Sequence, residues 1–132
     1  MSPYSRKIVA ASSLILLAST AFAADPVPPA VSAGIAAKLI VRGDLQGLQV
    51  VDLRSQRRND VMVVQAEVNN NDLRDLRLYY RFRWTDASGM QVGDGEVWKP
   101  VVFLGKQSQI LKGTAYGPQA IDFKLEMSSE PR

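Results

Sequence analysis

The chain has 132 residues, 46% apolar and 22% charged, which fits one globular domain and sets aside the disordered and fibrous classes. It contains no cysteine and no histidine, which excludes disulfides, thiolate metal sites, a lipidated N-terminal cysteine and the commonest general base. The formal net charge of +3 is too small to mark a nucleic-acid binder, and its distribution lowers it further.

At the N-terminus, Arg6 and Lys7 form a positive head, Ile8 to Leu17 an apolar core, and Ala21-Phe22-Ala23 an A-x-A site ahead of Ala24-Asp25. This is the pattern of a cleavable secretory signal over residues 1–23, with cleavage near Ala23. The apolar stretch of about 15 residues falls short of the roughly 20 that a spanning helix needs, so no membrane span is expected after cleavage. The Arg-Lys pair points to export of an unfolded chain rather than to the twin-arginine route. Removing Arg6 and Lys7 leaves 16 − 2 = 14 basic residues against 13 acidic, a net charge of +1. Any electrostatic recognition must then be local.

Residues 24–36 include Pro26, Pro28 and Pro29 and read as an extended leader. The domain is expected over 37–128, with a short tail at 129–132. Lys38 to Arg42 and Leu48 to Arg54 are the first strand candidates. Met62 to Asn69 alternates cleanly, with Met62, Val64, Ala66 and Val68 on one face and Val63, Gln65, Glu67 and Asn69 on the other. Leu78, Tyr80, Phe82 and Trp84 alternate just as strictly with Arg77, Tyr79, Arg81 and Arg83, the signature of a half-buried strand. Pairing these two strands as a hairpin, Val64 against Phe82 and Ala66 against Tyr80, would gather all the apolar residues on one face. Glu67 would then oppose Tyr79, with Arg77 and Arg81 on the diagonals.

Turn residues at Thr85-Asp86-Ala87-Ser88-Gly89 and Gly93-Asp94-Gly95 separate the next short segments. Trp98 to Leu104 carries Pro100, the mark of an edge strand. In Gln107 to Thr114 the adjacent Ile110 and Leu111 leave the inward face open. The last strand sets Ile121, Phe123, Leu125 and Met127 against Asp122, Lys124 and Glu126. About seven strands at roughly 10-residue spacing predict an all-β, immunoglobulin-like antiparallel sandwich, with Trp84 as its buried tryptophan.

The runs VQAEVNNNDLRDLRLYYRFRWTDASGMQV, WKPVVFLGKQSQILKGTA and AIDFKLEM resemble the YcfL-like proteins, small secreted proteins of the Gram-negative envelope, across Leu48 to Met127. The resemblance implies an immunoglobulin-like sandwich and a periplasmic location, and it brings no established activity. Some members of that family are lipoproteins, and their genes can lie near those of lipoproteins that activate peptidoglycan synthases. This sequence has no cysteine to lipidate, so a soluble periplasmic protein is expected here.

Arg77, Tyr79, Arg81 and Arg83, with Arg74 nearby, form a basic stripe suited to a carboxylate-bearing glycan, a lipid phosphate or an acidic protein patch. The same stripe also reads as a solvated strand face, partly neutralised by Glu67, that resists edge-to-edge aggregation. Trp98 suits a core or rim position, or an interface anchor. Asp94, Glu96 and Asp86 lack calcium-loop spacing, Met62 and Met127 belong to core faces, and no phosphate loop is present, so neither metal nor cofactor is expected. Serines without histidine make no conventional triad. The expected function is a non-enzymatic envelope module working by contact with another envelope protein, one linked to peptidoglycan synthesis by the resemblance. The alternative is a binder of a peptidoglycan fragment, an anionic glycan or an unfolded client strand.

Overall fold

Alternation of apolar and polar residues becomes strand along nearly the whole domain. The computed structural model describes residues 33–130. Its elements are a one-turn helix α1 (Ala33–Ala36), then β1 (Leu39–Arg42), β2 (Leu48–Arg58), β3 (Val61–Asn70), β4 (Leu76–Thr85), β5 (Lys99–Phe103), β6 (Ser108–Thr114) and β7 (Asp122–Ser128). The signal segment and leader residues 24–32 lie outside the described residues. The last four leader positions form α1 instead of extended chain, since Ala-Gly-Ile-Ala has no proline and the Lys38 N–H closes the turn on the Ile35 carbonyl.

The strands make two sheets, a four-stranded one in the order β1-β7-β4-β5 and a three-stranded one in the order β2-β3-β6. Every pairing is antiparallel except β1 with β7, which is parallel. The result is the expected all-β sandwich, sharing the two-sheet architecture of immunoglobulin domains with a strand order of its own.

The core lies between the sheets. Leu48, Val50, Val64, Ala66, Val68 and Leu111 come from one side; Leu78, Phe82, Trp84, Phe103, Phe123, Leu125 and Met127 come from the other. The open question at β6 is answered: Leu111 is buried and Ile110 exposed. At its centre Phe82 stacks on Trp84 with centroids 5.5 Å apart, and Phe123 meets both rings edge-on or tilted. Gly113 of β6 lies directly over this cluster; a Cβ there would fall 2.4 Å from the Phe82 ring, so only glycine lets the sheets close at that point.

The expected hairpin of β3 with β4 does not form, because the two strands belong to different sheets. Val64 stands opposite Gly113 and Ser55, while Phe82 stands opposite Leu125. The reason sits at the end of β3. Asn70 is buried, and its amide donates to the carbonyls of Arg74 (2.8 Å) and Leu104 (3.0 Å) while accepting from the Asp72 N–H (2.9 Å). These bonds hold the 71–75 connection in a crossing from one sheet to the other. β2 also runs four residues further than the sequence suggests. It continues to Arg58 and turns through Asn59 and Asp60, both at positive φ (51° and 65°), as a tight two-residue hairpin requires.

On the same crossing, the Arg74 guanidinium bonded to Asp72 holds that carboxyl below its usual value of 3.8, at about 2. A carboxyl with a lowered folded-state pKa contributes stability that is present above the unfolded value and lost as pH falls through the folded one. Acid unfolding of the wild type is therefore expected to steepen between about pH 4 and pH 2. Asp72→Asn should flatten that limb; identical acid titrations of the two proteins, followed by circular dichroism, would contradict it.

Candidate functional site

The outward face of the four-stranded sheet follows from strand alternation and register. From β4 come Arg77, Tyr79, Arg81 and Arg83; from β7 Asp122, Lys124, Glu126 and Ser128; from β1 Ile40 and Arg42. Pro100 and Val102 of β5 complete it beside Tyr79 and Arg77. Arg81 is directly opposite Glu126, with Arg83 and Arg42 on the diagonals.

Glu126 points away from the core and is nonetheless 0% exposed. Three guanidiniums cover it. Arg81 Nε donates to Oε1 at 3.1 Å, Arg83 Nε lies 3.5 Å from the same oxygen, and Arg42 approaches Oε2 at 3.2 Å. The Arg42 contact is an ion pair without hydrogen-bond alignment, so Oε2 has no hydrogen-bond donor among the described residues. Arg81 is clasped on its other side as well, its guanidinium 4.2 Å from the centre of the Trp98 ring. Three positive groups around one carboxylate leave an excess of two charges, to which exposed Arg77 and Lys124 add.

Beside this cluster the 86–98 segment closes over the edge of β4 beyond the end of β5. Glu96 does what a further strand would otherwise do. Its Oε1 accepts from the Phe82 N–H (3.0 Å) and lies 3.3 Å from Lys99 Nζ, and its Oε2 accepts from the Trp84 indole N–H (2.9 Å). The side chain is only 8% exposed. A cleft of about 200 Å³ remains between the strap and the sheet, lined by Arg81, Arg83, Gln91, Asp94, Glu96 and Glu126.

The structure thus brings Arg77, Tyr79, Arg81 and Arg83 onto one outward face, as the alternation requires, and gives them different states. Arg77 and Arg83 are exposed, Tyr79 is half-buried against Pro100, and Arg81 is held between Glu126 and Trp98. Arg74 is not on this face; it pairs with Asp72 and Gln46 on the crossing after β3. Glu67 does not neutralise the stripe either. It lies in the other sheet between Asp52 and Ile110, because β3 does not pair with β4. Trp98 sits half-buried on the rim of the outward face. Of the carboxylates weighed as ligands, Asp94 is an exposed turn residue and Glu96 belongs to the fold. Sequence reasoning missed Glu126 and Arg42. The alternation of β7 does place Glu126 on its polar face; what was absent was any sign that β7, which sets Glu126 45 positions beyond Arg81, is the strand beside β4.

A family model described as a protein of unknown function, DUF1425, matches residues 42–129. Two solved structures resemble the chain. A DUF1425 family member from Shewanella sp. pv-4 is 23% identical with a TM-score of 0.56, over 61% of this chain and 75% of that one. Campylobacter jejuni cj0090 is 22% identical with a TM-score of 0.58, over 70% of this chain and 98% of that one. At such identities the likeness shows the fold. No curated protein matches.

Proposed function

We propose that this chain, which belongs to the DUF1425 family of proteins of unknown function, is a non-enzymatic accessory module of the Gram-negative periplasm that works by contact with another envelope protein. The contact surface is the outward face of the four-stranded sheet, and the partner presents carboxylates or another anionic patch to it. One observation carries this reading: Glu126 is buried beneath Arg42, Arg81 and Arg83, so the guanidiniums are fixed in place while their summed charge stays positive. Groups already held in position lose little freedom when a partner arrives, which favours affinity. The location rests on the signal pattern of residues 1–23 and on the resemblance to YcfL-like proteins. That resemblance also makes a partner linked to peptidoglycan synthesis the first to test.

A second reading is binding of an envelope ligand such as a peptidoglycan fragment, an anionic glycan or an extended client strand. It is favoured by a groove of about 570 Å³ along the β2–β3 hairpin, lined by Leu53, Arg54, Ser55, Gln56, Arg58, Val63 and Gln65.

The experiment is a pull-down from envelope extracts with wild type and an Arg77→Ser, Arg83→Ser double variant. Both side chains are exposed, so the fold should stand, while Arg81 keeps Glu126 paired. Loss of a defined protein partner from the variant is the expected result. An unchanged partner set would remove the face from consideration, and binding of both proteins to purified sacculi would favour the groove.

A further inference from the structure

Each free strand edge of a sandwich exposes a row of backbone donors and acceptors, and proteins normally guard such edges. Three of the four here are guarded. On β5, Pro100 has no N–H, and the Val102 carbonyl accepts from Gln109 Nε2 at 2.7 Å. β2 is broken by an irregularity between Val50 and Asp52, and beyond it carries the charges Asp52, Arg54, Arg57 and Arg58. β1 is only four residues long.

The β6 edge is different. The Ala115 N–H donates to the Met62 carbonyl and the Asn70 N–H to the Gln107 carbonyl, which fixes the phase of the ladder. Odd-numbered residues of β6 bond to β3, and Ser108, Ile110, Lys112 and Thr114 turn their N–H and C=O groups outward. Among the described residues none of these groups is bonded. The strand has no proline and no bulge, its outward side chains are exposed, and its sole charge is Lys112.

We infer that the chain pairs with a second copy of itself along this edge, as a twofold dimer with a continuous β2-β3-β6 sheet across both subunits. The phase of the ladder makes the edge self-complementary. With the axis through Leu111, Ser108 stands opposite Thr114 of the other copy and Ile110 opposite Lys112. All of these are outward-bonding residues, so every free N–H meets a free C=O. The side chains agree with this register. Exposed Ile110 lies along the aliphatic stem of Lys112 of the other copy, no like charges stand directly opposite, and Glu67 is diagonal to Lys112 within each subunit.

Sedimentation equilibrium of the purified chain over a concentration series tests the inference. The wild type should dimerise reversibly. Ile110→Lys sets two lysines opposite each other twice per dimer and should weaken association about tenfold. Adding Lys112→Glu restores opposite charges at both places and should restore the dimer. Ile110→Pro removes an N–H that β3 does not use and should abolish pairing; if it unfolds the protein, the charge pair decides. A wild type that stays monomeric, or a dimer indifferent to Ile110→Lys, overturns the inference. The Arg77 and Arg83 variants act on the other sheet and should leave dimerisation unchanged, which separates this result from the partner reading.

Discussion

Trp84→Ala is expected to destabilise the domain by about 3–5 kcal/mol, the range for deleting a large aromatic from a close-packed core. The indole is 1% exposed, stacked on Phe82 and tilted against Phe123. Its N–H also holds Glu96, so the substitution removes a donor from a nearly buried carboxylate that keeps, among the described residues, the Phe82 N–H and Lys99. A burden of this size approaches the whole stability of many small domains. Trp84→Phe separates the two contributions, since it keeps most of the apolar volume and loses the donor. Its expected loss is smaller, about 1–3 kcal/mol. Urea unfolding followed by circular dichroism gives both numbers. A Trp84→Ala protein within 1 kcal/mol of wild type would mean that the indole is not a core element.

Glu126→Ala carries the second-largest expected effect. Removing one member of a buried ion cluster typically destabilises by 3–5 kcal/mol, because the surviving charge is left uncompensated. Here the surviving guanidiniums retain 27% to 47% side-chain exposure, so water recovers part of that and about 2–3 kcal/mol is expected. Three arginines repelling one another without their carboxylate should also make the variant more stable in high salt, the reverse of screening a favourable pair. Arg81→Ser should follow the same direction more weakly, since Arg83 and Arg42 remain on the carboxylate. Arg77→Ser should leave stability unchanged. Chemical denaturation of the four proteins at low and high salt reads out this order, and equal stability of Glu126→Ala and wild type would show that the arginines hold themselves without it.

Local order was readable in the sequence, and long-range order was not. The period-two contrast from Leu78 to Trp84 and from Met62 to Val68 is enforced by the pleat, so it identified both the strands and their buried faces. Which strand lies beside which depends on crossings, and the sequence does not display them. In the sequence Asn70 is one of three consecutive asparagines after an apolar strand; its amide carries the chain into the other sheet and prevents the hairpin that matching faces suggested. The same blindness hid the site. Arg81 and Arg83 were legible as a basic row, whereas their carboxylate partner sits on a strand whose position is set by the β4–β7 register. Glu96 was weighed only as a ligand and set aside, and its part in the fold went unread for a related reason. Its bonds run to a backbone N–H 14 positions earlier and to the indole of Trp84, neither of which any spacing rule anticipates.

The placement of β7 has a consequence for how the molecule can be built. It lies between β1 and β4, so nothing joins β1 to the β4–β5 pair until residues 122–128 are available. A chain emerging amino end first can close β2, β3 and β6 on one another, and β4 on β5, before β7 is available, but β1 must wait for β7. The arginine cluster waits with it, since Glu126 lies on β7. The assembled face thus records that β7 has docked between β1 and β4.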